Sequence, residues 1–183
     1  MLTVLAAVER ALMRWTLRAA MALLVLAAGI AFYQVVTRFL FEEPSTWSEV
    51  AARSLTIWMV YLGVAAAFRT GALLAVDFLY SHLHGTARLV LTAVIFGLSL
   101  GVLLVMVWAG IDMVMRARFQ MLAGVENPLT GGGISIAWVY AAVPTGAALA
   151  IVGLLARTAE QVRALLAERS GTAPVAPHET YEV

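Results

Sequence analysis

Few residues in this sequence of 183 could do chemistry, and the densest group of them lies in one short stretch. It runs Arg38, Phe39, Leu40, Phe41, Glu42, Glu43, Pro44, Ser45, Thr46, Trp47, Ser48, Glu49, and then Arg53. Glu49 and Arg53 are four positions apart with the acid first, the favourable order for an ion pair on a helix. Thr46 and Glu49 have the spacing of a capping box, so each can satisfy an amide at a helix start. Pro44 lies just upstream and helps to stop anything helical before it. Arg53 falls about one turn inside an apolar run, where a charge is costly unless it is paired or reaches back to water. Arg38 ends the preceding apolar run on the same side, so Arg38, Glu49 and Arg53 could form one network. The chemistry on offer is electrostatic contact rather than bond making. Two readings stay open: a helix cap with ordinary boundary charges, or a fixed corner that docks a partner.

The remaining candidates are weaker. His82 and His84 lie between two apolar runs with Asp77 nearby, and His178 lies near the end of the chain. No pair of histidines has the spacing of a zinc-binding helix, so a solvated loop is the better reading. No apolar run contains histidine, which argues against haem ligated inside a helical bundle. The chain has no cysteine, which excludes disulfides and thiolate metal sites. Thr130, Gly131, Gly132 and Gly133 suggest a phosphate cradle, but no Gly-Lys-Ser/Thr follows, and a flexible turn is expected instead. No catalytic residue, cofactor site or metal site is therefore assigned, and the chain does not read as an enzyme. A net charge of +1 gives no reason to expect nucleic acid as a partner.

The elements that must hold these residues follow from composition. The sequence is 62% hydrophobic and only 13% charged, and its mean hydropathy is +0.90. A soluble domain is nearer half apolar and a quarter charged, so lipid is the expected solvent. Apolar runs over 19–37, 48–68, 89–111 and 136–156 are each about long enough to cross a hydrocarbon core, which takes roughly 20 helical residues. Upstream, Leu5, Val8, Leu12 and Trp15 repeat at helical spacing, and Arg10, Arg14 and Arg18 make a stripe. Residues 1–18 thus read as an amphipathic helix lying on the membrane. A cleaved signal peptide is the rival, but the apolar run continues past the small residues 27–31. Residues 19–169 form the four-helix domain, and 170–183, with Gly171, Pro174 and Pro177, read as a disordered tail. The fold class is an all-α membrane protein with four transmembrane helices and an N-terminal interfacial helix.

All twelve basic residues are arginine. Arg10, Arg14, Arg18, Arg69, Arg88, Arg157, Arg163 and Arg169 lie on the side of the termini, and Arg38, Arg53, Arg116 and Arg118 on the other. The positive-inside rule therefore favours cytoplasmic termini. Trp47, Trp108, Trp138 and Tyr140 fall near span ends as an interfacial belt does, and Trp58 sits deeper, as a packing residue. Gly97 and Gly101 form a GxxxG in span three, and Ala142 and Gly146 a small-xxx-small pair in span four. Pro144 should bend span four or free a carbonyl there. The span centres lack Asp, Glu, Lys, Arg and His, and Gln34 is the most polar internal residue. Proton relays and ion pathways usually need an ionisable group there, so a scaffold, anchor or accessory subunit fits better than an autonomous transporter.

These residues resemble a known family. Arg38, Phe39 and Phe41, then Pro44, Trp47, Ser48, Glu49 and Arg53, then Trp58, Leu62, Gly63, Phe68, Arg69 and Gly71 look like the small membrane subunit (DctQ type) of tripartite ATP-independent periplasmic, or TRAP, transporters. Val76 and Asp77 follow where the family often has a short HIxVD-like segment, although Ala72 and Leu73 stand where its histidine is frequent. Pro128, Leu129, Ile136, Trp138, Tyr140, Pro144 and Gly146 resemble its last loop and span. The resemblance covers nearly the whole chain. It implies a small permease subunit, without cofactors, in the bacterial inner membrane. Its partners would be a large sodium-coupled elevator subunit, a periplasmic substrate-binding protein that captures organic acids, and membrane lipids. The small subunit would extend the stationary scaffold of the large one and help dock the binding protein, with loops over 38–48 and 113–135 facing the periplasm. Arg38, Pro44, Trp47, Glu49 and Arg53 are the candidate interface corner, and Gly63, Gly97, Gly101, Pro144 and Gly146 the candidate packing positions. The alternative from another class is a non-haem membrane anchor of an enzyme complex.

Overall fold

The computed structural model describes residues 2–42, 45–70, 86–126 and 133–169. Helix α1 spans Leu2–Leu40, α2 Thr46–Thr70 and α3 Thr86–Ala117; strands β1 (Met121–Glu126) and β2 (Gly133–Ser135) follow, then the short α4 (Ala137–Tyr140) and the long α5 (Ala142–Arg169). Among the described residues, four helical stretches are long and apolar enough to cross a membrane: Ala7–Leu40, Trp47–Thr70, Leu89–Ala117 and Ala137–Ala164. Each covers one of the runs expected from hydropathy to within a residue.

Helix α1 runs unbroken for 39 residues, about 58 Å at 1.5 Å per residue. A separate interfacial helix over 1–18 is not what the structure contains. The physical reason is local: no proline interrupts this Ala- and Leu-rich stretch, and its first glycine is Gly29. A hydrocarbon core is about 30 Å thick, so a helix this long extends beyond it. Among the described side chains of α1, Met13, Thr16, Ala20 and Ala27 are buried, while Val8, Leu12 and Trp15 are exposed.

Helix α1 packs chiefly on α2, and α5 lies against both α2 and α3. The apolar window of α5 is 39% buried and those of the other three helices 11% each, which makes α5 the centre and leaves broad outer faces on α1, α2 and α3. The core sets the small Ala65 of α2 and Ala147 and Ala150 of α5 beside Leu103 of α3 and Leu154 of α5, with Phe68 and Phe96 packed around them. Small side chains let backbones come close, and close packing is what holds helices together where lipid removes most of the hydrophobic driving force.

Pro144 acts as expected. It has no amide to offer the carbonyl of Tyr140, and the helix breaks just there, with a turn at Ala141 between α4 and α5. The Thr145 amide donates to the Ala141 carbonyl at 3.2 Å and restarts the ladder. The stretch read as a loop over 113–135 contains regular elements among its described residues. Its first residues continue α3 to Ala117, and β1 pairs antiparallel with β2, Met121 opposite Ser135, through an irregular register. Ser135 closes this ribbon onto the next helix: its Oγ donates to the Arg118 carbonyl at 2.9 Å and accepts the Ala137 amide at 3.2 Å. Of the glycine-rich turn, Thr130, Gly131 and Gly132 lie outside the described residues; Gly133 opens β2.

Candidate functional site

The charged corner joins the end of α1 to the start of α2. Leu40 is the last helical residue, and Glu42 takes a positive φ of 57° two positions later. That is the left-handed position that commonly ends a helix and is commonly glycine, so the chain is turned here by a residue that carries a Cβ. Helix α2 opens at Thr46, so Ser45 rather than Thr46 occupies the N-cap position. The Ser48 hydroxyl donates back to the Ser45 carbonyl at 2.8 Å. Glu49 accepts from the Arg53 guanidinium at 2.8 Å, one turn on.

Arg38 stays outside that pair. Its guanidinium carbon lies 6.0 Å from the ring centre of Phe39, and among the described residues it makes no ion pair. The three-member network is thus a two-member pair plus a separate cation. Trp47 lies against Tyr33 of α1 with ring centres 5.8 Å apart, which ties the two helices at this end. Pro44 lies outside the described residues. The Arg53 and Glu49 side chains are 71% and 58% exposed, and Phe39, Leu40 and Phe41 are exposed beside them. The corner presents charge and aromatic surface outward and spends little of it within the chain.

The packing positions divide. A Cβ at Gly146 would meet the Tyr61 Cβ at 2.6 Å and its carbonyl oxygen at 2.9 Å, and Pro144 stands against Gly110 of α3. At Gly63, Gly97 and Gly101 a Cβ would find no heavy atom within 4 Å, so these three are not at close contacts among the described residues. The close approaches are made instead by Gly110, Gly146 and Gly153, the last against Ala65 and Arg69. Trp58 is a packing residue as expected: it lies on Trp138 with ring centres 4.8 Å apart and donates from Nε1 to the Trp138 carbonyl at 3.2 Å.

The strongest polar contact lies at the other end of the α1 and α2 pair, and sequence reasoning misses it. Arg69 donates from Nε to Glu9 at 2.7 Å and through its two remaining nitrogens to Glu160 at 2.7 and 2.9 Å. One guanidinium thereby pins α1, α2 and α5 together. The Arg69 and Glu9 side chains are only 18% and 12% exposed, and Glu160 is 55% exposed. A forked pairing of this kind uses the planar geometry that arginine has and lysine lacks. The only signal for it in the sequence is Arg69 at a span end, with acids in the helical extensions of two other spans. Asp77, His82, His84 and His178 lie outside the described residues, and no cluster able to hold a metal occurs among the described ones.

A family model described as tripartite ATP-independent periplasmic transporters, DctQ component, matches residues 27–164. The chain belongs to this family. A DctQ-family chain is a transporter component and not an enzyme, and its four apolar helices make it a multi-pass membrane protein. It is 27% identical over 141 residues, 75% of this chain and 76% of the relative, to the sialic acid TRAP transporter small permease protein SiaQ of Vibrio cholerae. It is also 29% identical over 121 residues to the sialic acid TRAP transporter permease protein SiaT of Haemophilus influenzae. That match takes in 66% of this chain but only 18% of the relative's length. The match to a transporter family leaves the enzyme-anchor alternative without support.

Proposed function

We propose that this chain is the small permease subunit of a TRAP transporter in a bacterial inner membrane, with both termini cytoplasmic. It packs beside a large sodium-coupled elevator subunit, extends that subunit's stationary scaffold, and offers the Arg38 to Arg53 corner to a periplasmic binding protein during uptake of an organic acid. The observation that carries this reading is the combination of ion-free span centres with helices whose outer faces the chain itself leaves uncovered. Such helices suit bracing and not ion conduction. The match to a small part of a much longer permease supports a large-subunit partner. Both relatives are named for sialic acid, a carboxylic acid, which supports the substrate class. The eight-to-four split of arginines supports the orientation.

Co-purification tests it. A tagged chain expressed in its native host should retain a large permease subunit in mild detergent. Failure to retain one, or substrate uptake by this chain alone in proteoliposomes, would overturn the proposal.

A further inference from the structure

We propose that the groove between α1 and α2, at the end held by Arg69, binds the phosphate of an anionic membrane phospholipid. A cavity of about 630 Å³ lies there, lined by Arg10, Arg14 and Arg69 and by the apolar Met13, Leu17 and Ala66. Arg69 is committed to Glu9 and Glu160, so it shapes the wall and does not supply the free charge. Arg14 does. Its Nε donates to the Arg10 carbonyl at 3.3 Å, and its two other nitrogens have no acceptor among the described residues. Arg10 and Arg14 stand one turn apart on α1 and face the same cavity. Guanidinium groups recognise phosphate oxygens through paired N–H donors, and a basic pocket between membrane helices at the polar boundary suits a lipid headgroup.

The apolar wall distinguishes a lipid from a free anion. Beyond Leu17 the outer face of α1 continues through the exposed Met21, Leu24 and Val25, an apolar track along which acyl chains can lie. Beside the site, the Arg18 guanidinium carbon lies 5.5 Å from the ring centre of Trp15, an aromatic and cation pair of the kind that sits at headgroup level. The arginine stripe of the first helix thus becomes part of a site.

The test uses the full-length chain in mild detergent, with lipid retention followed by native mass spectrometry. Phosphatidylglycerol should be retained in preference to zwitterionic phosphatidylcholine. R10Q/R14Q should lower phosphatidylglycerol retention about tenfold, the effect of removing one charge-assisted hydrogen bond. R10K/R14K should keep part of it, and Arg163→Gln, which removes an exposed arginine of α5, should leave it unchanged. Leu17→Trp, which narrows the cavity and keeps every charge, should also weaken retention, so a misfolded double variant does not remove the test. Millimolar inorganic phosphate should not displace the lipid. Unchanged retention in R10Q/R14Q or in Leu17→Trp overturns the proposal. Displacement by phosphate overturns it in favour of a soluble-anion site.

Discussion

The Nε of Arg69 donates to a carboxylate oxygen of Glu9 at 2.7 Å, across 60 positions of sequence. The same guanidinium reaches Glu160, 91 positions further on. At one end of the bundle the register of three helices therefore depends on one side chain. At the other end, Tyr33 and Trp47 hold α1 to α2 by aromatic contact, and the charges there point outward.

Removing a charged partner from this cluster should be costly in proportion to burial. Arg69→Gln should lower unfolding stability in detergent by about 3 kcal/mol, the cost of stranding a shielded carboxylate. Glu9→Gln should cost more than Glu160→Gln, because Glu9 is 12% exposed and Glu160 55%, and exposed pairs contribute at most about 1 kcal/mol. Denaturant titration of the three variants checks the order.

Gly146→Ala should separate α2 from α5, because the new Cβ would stand 2.6 Å from that of Tyr61 and 2.9 Å from its carbonyl oxygen. Overpacking of this kind costs about 1 to 3 kcal/mol. Gly97→Ala and Gly101→Ala meet nothing within 4 Å and should leave the isolated chain at least as stable. If all three variants melt alike, the division of the glycines into contact and open positions is wrong.

Glu42 holds a φ of 57° without being glycine, a conformation that costs roughly 1 to 2 kcal/mol for a residue with a Cβ. Glu42→Gly should relieve part of that and raise thermal stability slightly, whereas Glu42→Val should lower it. A thermal scan of the pair reads the sign directly.

The Glu49 and Arg53 pair is exposed and local, so its loss should change chain stability by no more than about 0.5 kcal/mol. If the corner meets a partner, Arg53→Ala should still weaken complex assembly or uptake more than Arg163→Ala does. Equal and negligible effects on uptake would return Glu49 and Arg53 to the role of ordinary boundary charges.

Trp58→Phe keeps a ring against Trp138 but loses the bond to its carbonyl. The expected cost is about 1 kcal/mol, with Trp58→Ala costing clearly more because the stacked ring goes too. Equal losses would mean that the hydrogen bond, and not the ring packing, carries the contact.

Much of this molecule is local in origin. Hydropathy over a window of some 20 residues is a property of consecutive positions, which is why all four spans and the break near Pro144 are legible in the sequence alone. The Glu49 and Arg53 pair is legible for the same reason, since positions four apart on a helix are neighbours whatever the rest of the chain does. The start of α1 is less so: helical spacing and an arginine stripe announce an amphipathic segment, but nothing between it and the first span can stop a helix, and the two are one. The partners of Arg69 cannot be read from sequence at all, because Glu9 and Glu160 become its neighbours only when three helices have docked. The glycines make the same point. Gly97 and Gly101 carry the familiar motif, yet Gly110, Gly146 and Gly153 make the contacts. Spacing sets which residues share a helix face, but only packing decides which face meets another helix and which is left to lipid or a partner.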